Sequence, residues 1–258
     1  MTLRETFEEA PERYDRVRPG YPDELFDDLA RLVGLGTGSR VLELGCGTGQ
    51  ATVSLARRGY EVVAVELGAG LADVARRKLA SFPAVDVVNS AFEAWPLPRA
   101  PFDVVFAATS FHWIDRAVRV SKSAESLRPG GALAVVSTHH VAGGDEQFFV
   151  DVQRCYERWD LDTAPGSRLP AATDIPHERE ELDASGRFGR VVFRRYEHER
   201  TYPTQEYRDL LLTYSGHRAL EPAAQRGLLS CIGRLIDARY GGQITKRYMN
   251  ELAIAYRS

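Results

Sequence analysis

The sequence predicts an α/β fold: a doubly wound, mostly parallel sheet with helices on both faces and one insertion. Three observations carry this. Short runs of aliphatic and β-branched residues, at 41–44, 62–65, 85–88, 102–107 and 132–137, alternate with longer stretches of helical periodicity. The first run ends in a glycine loop that opens a helix, Glu43-Leu-Gly45-Cys46-Gly47-Thr-Gly49. The second ends in an acid, Glu66. It follows the loop by about twenty residues, the spacing at which adjacent parallel strands present a loop and a carboxylate to one ligand.

Each element has its own signal. From 22 to 33, Leu25, Phe26, Leu29, Leu32 and Val33 recur at helical spacing, and Gly34, Gly36 and Gly38 end the run. After the strand at 41–44 a helix is expected over 48–58, stopped by Gly59. A strand at 62–65, a helix at 71–80 and strands at 85–88 and 102–107 follow, then a helix at 116–127. Arg128-Pro-Gly-Gly131 reads as a turn before the fifth strand at 132–137. The alternation then breaks. Phe148, Phe149, Val152, Tyr156 and Trp159 share an expected helix, and a loop rich in Pro, Asp and Glu comes after it. The stretch 141–189 therefore reads as a cap inserted into a single domain spanning 1–258, with 1–21 as an N-terminal segment. A sixth strand is expected at 191–196, extending to 202, then helices at 204–214 and 221–238 and a last strand at 244–256.

Composition bounds the function. At 258 residues, 44% hydrophobic and 27% charged, the chain can bury a large core and has the balance of a soluble globular protein. A net charge of −3 with no long basic run leaves no electrostatic footprint for nucleic acid. Among 33 basic residues only Lys78, Lys122 and Lys246 are lysine, and the arginines are scattered, which reads as coding bias. Cys46, Cys155 and Cys231 are widely spaced with no C-x-x-C pair, which suggests a reducing compartment and no structural metal. The acidic start, Met1-Thr-Leu-Arg-Glu-Thr-Phe-Glu-Glu9, lacks an apolar signal core, and no stretch approaches the roughly 18 apolar residues of a membrane span. A cytoplasmic protein without a membrane partner or a metal site is the expectation; oligomeric state is left open.

The glycine loop carries the chemistry. Glycines let backbone approach a ligand closely, and the helix N-terminus offers free N–H groups to an anion. A carboxylate at Glu66 can accept from both hydroxyls of a ribose. The dinucleotide pattern G-x-G-x-x-G and the phosphate-binding G-K-S/T are both absent. Glu43 would repel a pyrophosphate but suits an ammonium group, such as that of the methionine part of S-adenosylmethionine. The stretch from Glu43 to Gly49, with Glu66, resembles motif I of the class I S-adenosylmethionine-dependent methyltransferases. Further similarity lies in Val87-Val-Asn-Ser90-Ala91-Phe92-Glu93 with Trp95-Pro-Leu-Pro98, in Phe102-Asp-Val-Val and Thr109-Ser-Phe-His112-Trp113, and in Leu127-Arg-Pro-Gly-Gly131. Tyr14-Asp-Arg-Val-Arg18-Pro-Gly-Tyr-Pro22 is similar to the N-terminal segment of bacterial small-molecule members related to trans-aconitate methyltransferases. The resemblance covers roughly 14–137 and continues more loosely beyond.

It implies a seven-stranded, Rossmann-like sheet, S-adenosylmethionine as cofactor and a small-molecule acceptor. It also implies roles. Glu43 lies near the cofactor's amino group, Gly45 and Gly47 against its methionine portion, with Cys46 and Gly49 of the same loop. Glu66 binds the ribose, Leu67 packs on the adenine, and backbone at Ala91 and Phe92 reads the adenine edge. Ser90 departs from the acid many relatives carry there, and Thr109 closes the set. Tyr14 and Arg18 either close over the cofactor carboxylate or serve as a buried anchor and a surface ion pair. His112, after the fourth strand, and His140, after the fifth, are the candidates for a general base, because imidazole titrates near neutral pH; packing at a helix start is the alternative for His112. Tyr214, His217 and Arg218 line a substrate pocket or form a surface turn. Two rival functions are a nicotinamide-dependent oxidoreductase and a non-catalytic binding or regulatory protein on the same fold.

Overall fold

The computed structural model describes residues 10–97, 99–159 and 166–258. The acidic start at 1–9, Pro98 and part of the Pro/Asp/Glu-rich loop lie outside them. In chain order the elements are α1 (Pro11–Val17), α2 (Asp23–Val33), β1 (Arg40–Leu44), α3 (Gln50–Arg57), β2 (Glu61–Glu66), α4 (Ala69–Leu79), β3 (Val85–Asn89), β4 (Phe102–Ala108), α5 (Arg116–Ser126) and β5 (Leu127–Gly144). Then come α6 (Glu146–Asp151), α7 (Gln153–Trp159), α8 (Glu180–Ser185), β6 (Phe188–Pro203), α9 (Thr204–Leu211), α10 (Ser215–Ala219), α11 (Pro222–Arg239) and β7 (Gln243–Arg257). The strands form one seven-stranded sheet in the order β3-β2-β1-β4-β5-β7-β6. β1 pairs in parallel with β2 and β4, β2 with β3, and β4 with β5.

The chain divides into two compact units, each built from separated segments: one holds 20–138, 177–196 and 250–258, the other 1–19, 139–176 and 197–249. These boundaries do not coincide with the 141–189 cap expected from the broken alternation. In the first unit, side-chain alternation along the strands feeds two cores on opposite sheet faces. Val41, Val104, Phe106, Ala132 and Ala134 join Leu25, Phe26 and Leu29 of α2, Leu55 of α3 and Leu79 of α4. Leu42, Leu44, Val105 and Leu133 join Val120 and Ala124 of α5 and Leu182 of α8. Both faces are thus covered by helices, as a parallel sheet requires. Asp115 caps α5 by accepting from the Ala117 N–H at 2.9 Å.

The turn expected at Arg128–Gly131 is instead a bulge within β5. Phe102 pairs with Leu127 and Val104 with Ala132, with the register shift between them, so the intervening residues loop out while the strand continues. β5 also runs on past 137 to Gly144, carrying His139 and His140. The helix expected to hold Phe148 to Trp159 is split into α6 and α7.

The second unit has its own core of Val17, Phe148, Val152, Tyr202, Tyr207, Leu228, Ile232 and Tyr248, with aromatic edges set against faces. Two contacts pin α7 to α11. Cys155 and Cys231 form a disulfide across a sequence separation of 76. At Gly227 a Cβ would come within 2.5 Å of the Trp159 ring, so only glycine lets the helix approach it. Of the three cysteines Cys46 alone stays reduced, and it is buried. The reducing compartment inferred from their spacing loses its support. Among the described residues no helix is long and apolar enough to cross a membrane.

Closing a loop of this length removes unfolded-state entropy equivalent to about 4.5 kcal/mol. Reduction, or Cys155→Ser with Cys231→Ser, is expected to lower stability by about 2–4 kcal/mol in urea unfolding followed by tyrosine and tryptophan fluorescence. An unchanged midpoint would remove the bridge from the stability of this unit.

Candidate functional site

In the first unit the carboxyl ends of β1, β2 and β4 bring together most of the residues the sequence singled out. The loop after β1 turns sharply at Gly45, whose φ is +66°; a Cβ there would lie 2.7 Å from Cβ of Ser110. The Gly45 N–H donates to the Val65 carbonyl at 2.7 Å, and Ser110 Oγ donates to the Leu44 carbonyl. Gly49 is the left-handed N-cap of α3. Cys46 is buried, and burial pushes its thiol pKa well up, which makes it a packing residue rather than a reactive one.

Glu66 ends β2, 7% exposed. One carboxylate oxygen accepts from the Gly47 N–H and the other from the Gly68 N–H, each at 2.8 Å. The side chain thereby ties the loop after β1 to the loop after β2. Asn89, at the end of β3, donates its amide to the carbonyls of Glu66 and Leu67 at 2.9 and 2.8 Å. Leu67 is half-buried and Phe92 is buried at 4%. The Ser90 hydroxyl donates to the Ala91 carbonyl at 3.1 Å.

Glu43 sits on β1, 2% exposed, and its Oε2 has no hydrogen-bond partner. Burial raises its pKa to about 7. A buried carboxyl oxygen without a donor is costly, and a ligand that brings both a donor and a positive charge relieves it. This is the feature by which the residues present fit the ammonium-bearing end of S-adenosylmethionine.

Thr109, at the end of β4, has a φ of +57°, the one left-handed non-glycine among the described residues. Such a conformation costs about 1–3 kcal/mol and is held by its surroundings. Here the Thr109 N–H donates to the Val136 carbonyl at 2.7 Å, and its hydroxyl lies 3.1 Å from Tyr21 Oη and 3.0 Å from Thr138 Oγ1. Asn250 Nδ2 donates to Thr138 Oγ1 at 2.8 Å, while its own buried Oδ1 finds no donor. Sequence reasoning named Thr109 but missed Tyr21, Thr138 and Asn250, which come from three separate segments.

His112 lies in a single 3-10 turn (Phe111–Trp113) after β4, exposed, with its ring 4.9 Å from that of Trp113. Loss of hydration first, then the nearby Arg119 guanidinium, lowers its pKa.

His140, Tyr14 and Arg18 belong to the second unit. The Arg18 guanidinium lies 4.9 Å from the Tyr14 ring centre and 4.6 Å from that of Tyr214, and donates to the Thr213 carbonyl at 2.6 Å. Arg18 is thus neither a surface ion pair nor bound to any described carboxylate. His140 Nε2 lies 3.2 Å from Tyr214 Oη, and burial, then the charges of Lys246 and Arg18, lower its pKa to about 2. It is neutral at any physiological pH. Tyr214 and His217 line a cavity of about 240 Å³ in this unit, together with His140, Tyr156 and Lys246; Arg218 does not. Lys246 escaped sequence reasoning because it stands among polar and charged residues of β7, Thr245, Arg247, Asn250 and Glu251, and only the rarity of lysine in the chain marks it.

Residues 41–131 match the methyltransferase domain family. An uncharacterized methyltransferase of Mycobacterium tuberculosis is 38% identical over 131 residues, 51% of this chain and 51% of that protein. Trans-aconitate 2-methyltransferase of Azoarcus is 36% identical over 111 residues, 42% of each chain. The chain spans about half the length of the curated relatives it matches first. In fold it is similar to phosphoethanolamine N-methyltransferase 2 of Haemonchus contortus, solved with S-adenosyl-L-methionine, at a TM-score of 0.55 and 18% identity, covering 100% of this chain and 60% of that one. The glycine loop after β1, clasped by the carboxylate that ends β2, lies within the 41–131 match to the methyltransferase domain.

Proposed function

We propose that this protein transfers the methyl group of S-adenosylmethionine to a small-molecule acceptor. The observation that carries the reading is Glu43: a buried carboxyl with an oxygen that has no donor, beside a glycine loop clasped by Glu66. When bound, the cofactor supplies a methyl group already activated by its sulfonium. The chain's part is to bind and align. Glu43 holds the ammonium, Gly45 and Gly47 leave room for the methionine part, and Glu66 accepts from the ribose hydroxyls. Leu67, Ser90, Ala91 and Phe92 surround the adenine. Alignment alone can supply about 7–11 kcal/mol of barrier lowering, so a strong general base is not required. Of the two candidate histidines the environments favour His112, because His140 is too weak a base to draw a proton at neutral pH. An acidic net charge of −3 supports a small acceptor rather than nucleic acid.

Thermal-shift measurements with S-adenosylhomocysteine, S-adenosylmethionine and NAD test the reading. Stabilisation by the first two and not by NAD is expected; the reverse would overturn it. Release of S-adenosylhomocysteine across a metabolite panel then separates an enzyme from a non-catalytic binder.

Glu66→Ala is expected to weaken S-adenosylhomocysteine binding by about tenfold or more in calorimetry. Because Glu66 also satisfies two backbone N–H groups, the same variant should lose about 2–4 kcal/mol of stability. Loss of stability with wild-type affinity would leave Glu66 a purely structural residue.

Glu43 sets a pH dependence. Its folded pKa, about 7, lies above the ordinary 4.5, so the free protein is destabilised as pH rises through that window. Glu43→Gln should therefore gain about 2–3 kcal/mol at pH 8 and little at pH 4.5. Binding of an ammonium needs the ionised form, so S-adenosylhomocysteine affinity should rise about tenfold from pH 5.5 to 7 and stay flat in Glu43→Gln. A flat wild-type profile would count against this contact.

For His112→Gln, a base role predicts at least a roughly 100-fold fall in kcat, unchanged cofactor affinity and loss of the acid limb of the rate profile. Full turnover with an intact limb would remove it from the reaction.

A further inference from the structure

Lys246 lies on β7, 4% exposed, and lines the 240 Å³ cavity of the second unit. Its Nζ lies 5.4 Å from the ring centre of Tyr214 and 5.5 Å from that of Tyr248. Those ring faces attract a cation only weakly, and no described carboxylate pairs with it. The nearby charge that acts on it is Arg18, of like sign, so the ammonium is buried without a counter-ion. Burial lowers its pKa to about 7, and an anion in the cavity would hold it charged.

The other walls narrow the ligand's chemistry. His140 is neutral, so it adds a hydrogen-bonding edge and no charge. Tyr156 Oη lies 2.9 Å from His217 Nε2, a second polar pair on the wall. Phe149, Tyr207 and Leu211 supply aromatic and aliphatic surface. One enclosed positive charge matches a monoanion. A phosphate dianion would bring a second negative charge, for which the lining offers only Arg168, an exposed residue. The aromatic walls suit a flat, apolar body.

We infer that this cavity binds a small carboxylic acid with an aromatic or similarly flat apolar body, its carboxylate held by Lys246 and its body between Phe149, Tyr207 and Leu211.

The test uses the full chain and calorimetric titration. Benzoate and phenylacetate are compared with benzyl alcohol and phenyl phosphate, and S-adenosylhomocysteine is titrated separately. The acids should bind at least tenfold more tightly than benzyl alcohol. Lys246→Met, which keeps the length of the side chain and removes the buried charge, should erase that preference, leave benzyl alcohol unchanged and leave S-adenosylhomocysteine affinity unchanged. Equal binding of acid and alcohol by the wild type, which requires no variant to fold, would overturn the inference. So would an acid preference that survives in Lys246→Met, or phenyl phosphate binding more tightly than benzoate. Failure to bind S-adenosylhomocysteine, with acid binding intact, would strike the cofactor reading instead and leave this site standing.

Discussion

The carboxylate of Glu66 is the constraint on which the cofactor region depends. One oxygen takes the N–H of Gly47 and the other that of Gly68, so a single side chain sets the shape of two loops at once. Hydrogen bonds to a charged acceptor are stronger than neutral ones, and here they replace partners that the loop backbones would otherwise lack. The left-handed Gly45 and the Ser110 packed against it complete the turn from the side of β4. A residue that looks in sequence like a ligand contact is therefore also a structural clasp, and the two duties cannot be fully separated by deleting it.

Two buried ionisable groups of opposite sign stand in different units: Glu43 on β1 and Lys246 on β7. Each is shifted toward neutrality by burial, and each lacks a counter-charge among the described residues. A chain selected for stability alone would replace both with apolar residues. Their persistence in well-packed surroundings is the kind of local inconsistency that accompanies a binding site.

The parallel core was legible because its signals are local. β1 to β4 are short aliphatic runs closed by glycine, asparagine or a polar loop, and their observed limits differ from the expected ones by a residue or two. Glu43, Gly45, Gly47 and Glu66 were legible for the same reason: their order and spacing alone point to a loop and an acid on adjacent strands. What was not legible is long-range. The pairing of Cys155 with Cys231 spans 76 positions, and nothing in the spacing announces it. β5 was cut short in reading because the polar Thr138, His139 and His140 interrupt its apolar run, although the backbone continues to Gly144. The two histidines looked equivalent in sequence; the degree of burial separates them, since His112 stands exposed on a turn while burial, then the charges of Lys246 and Arg18, lower the pKa of His140 to about 2.

The division into units has a consequence for anyone who would take the molecule apart. The backbone passes between the units five times, at 19/20, 138/139, 176/177, 196/197 and 249/250. Three of those passages occur inside unbroken strands, β5, β6 and β7. No single cleavage can therefore release either unit whole, and a chimaera that exchanges one for a relative's must match five junctions rather than one. Divergence in the second unit is free to proceed by substitution within it, but exchange of the unit as a block is closed to recombination at any single point.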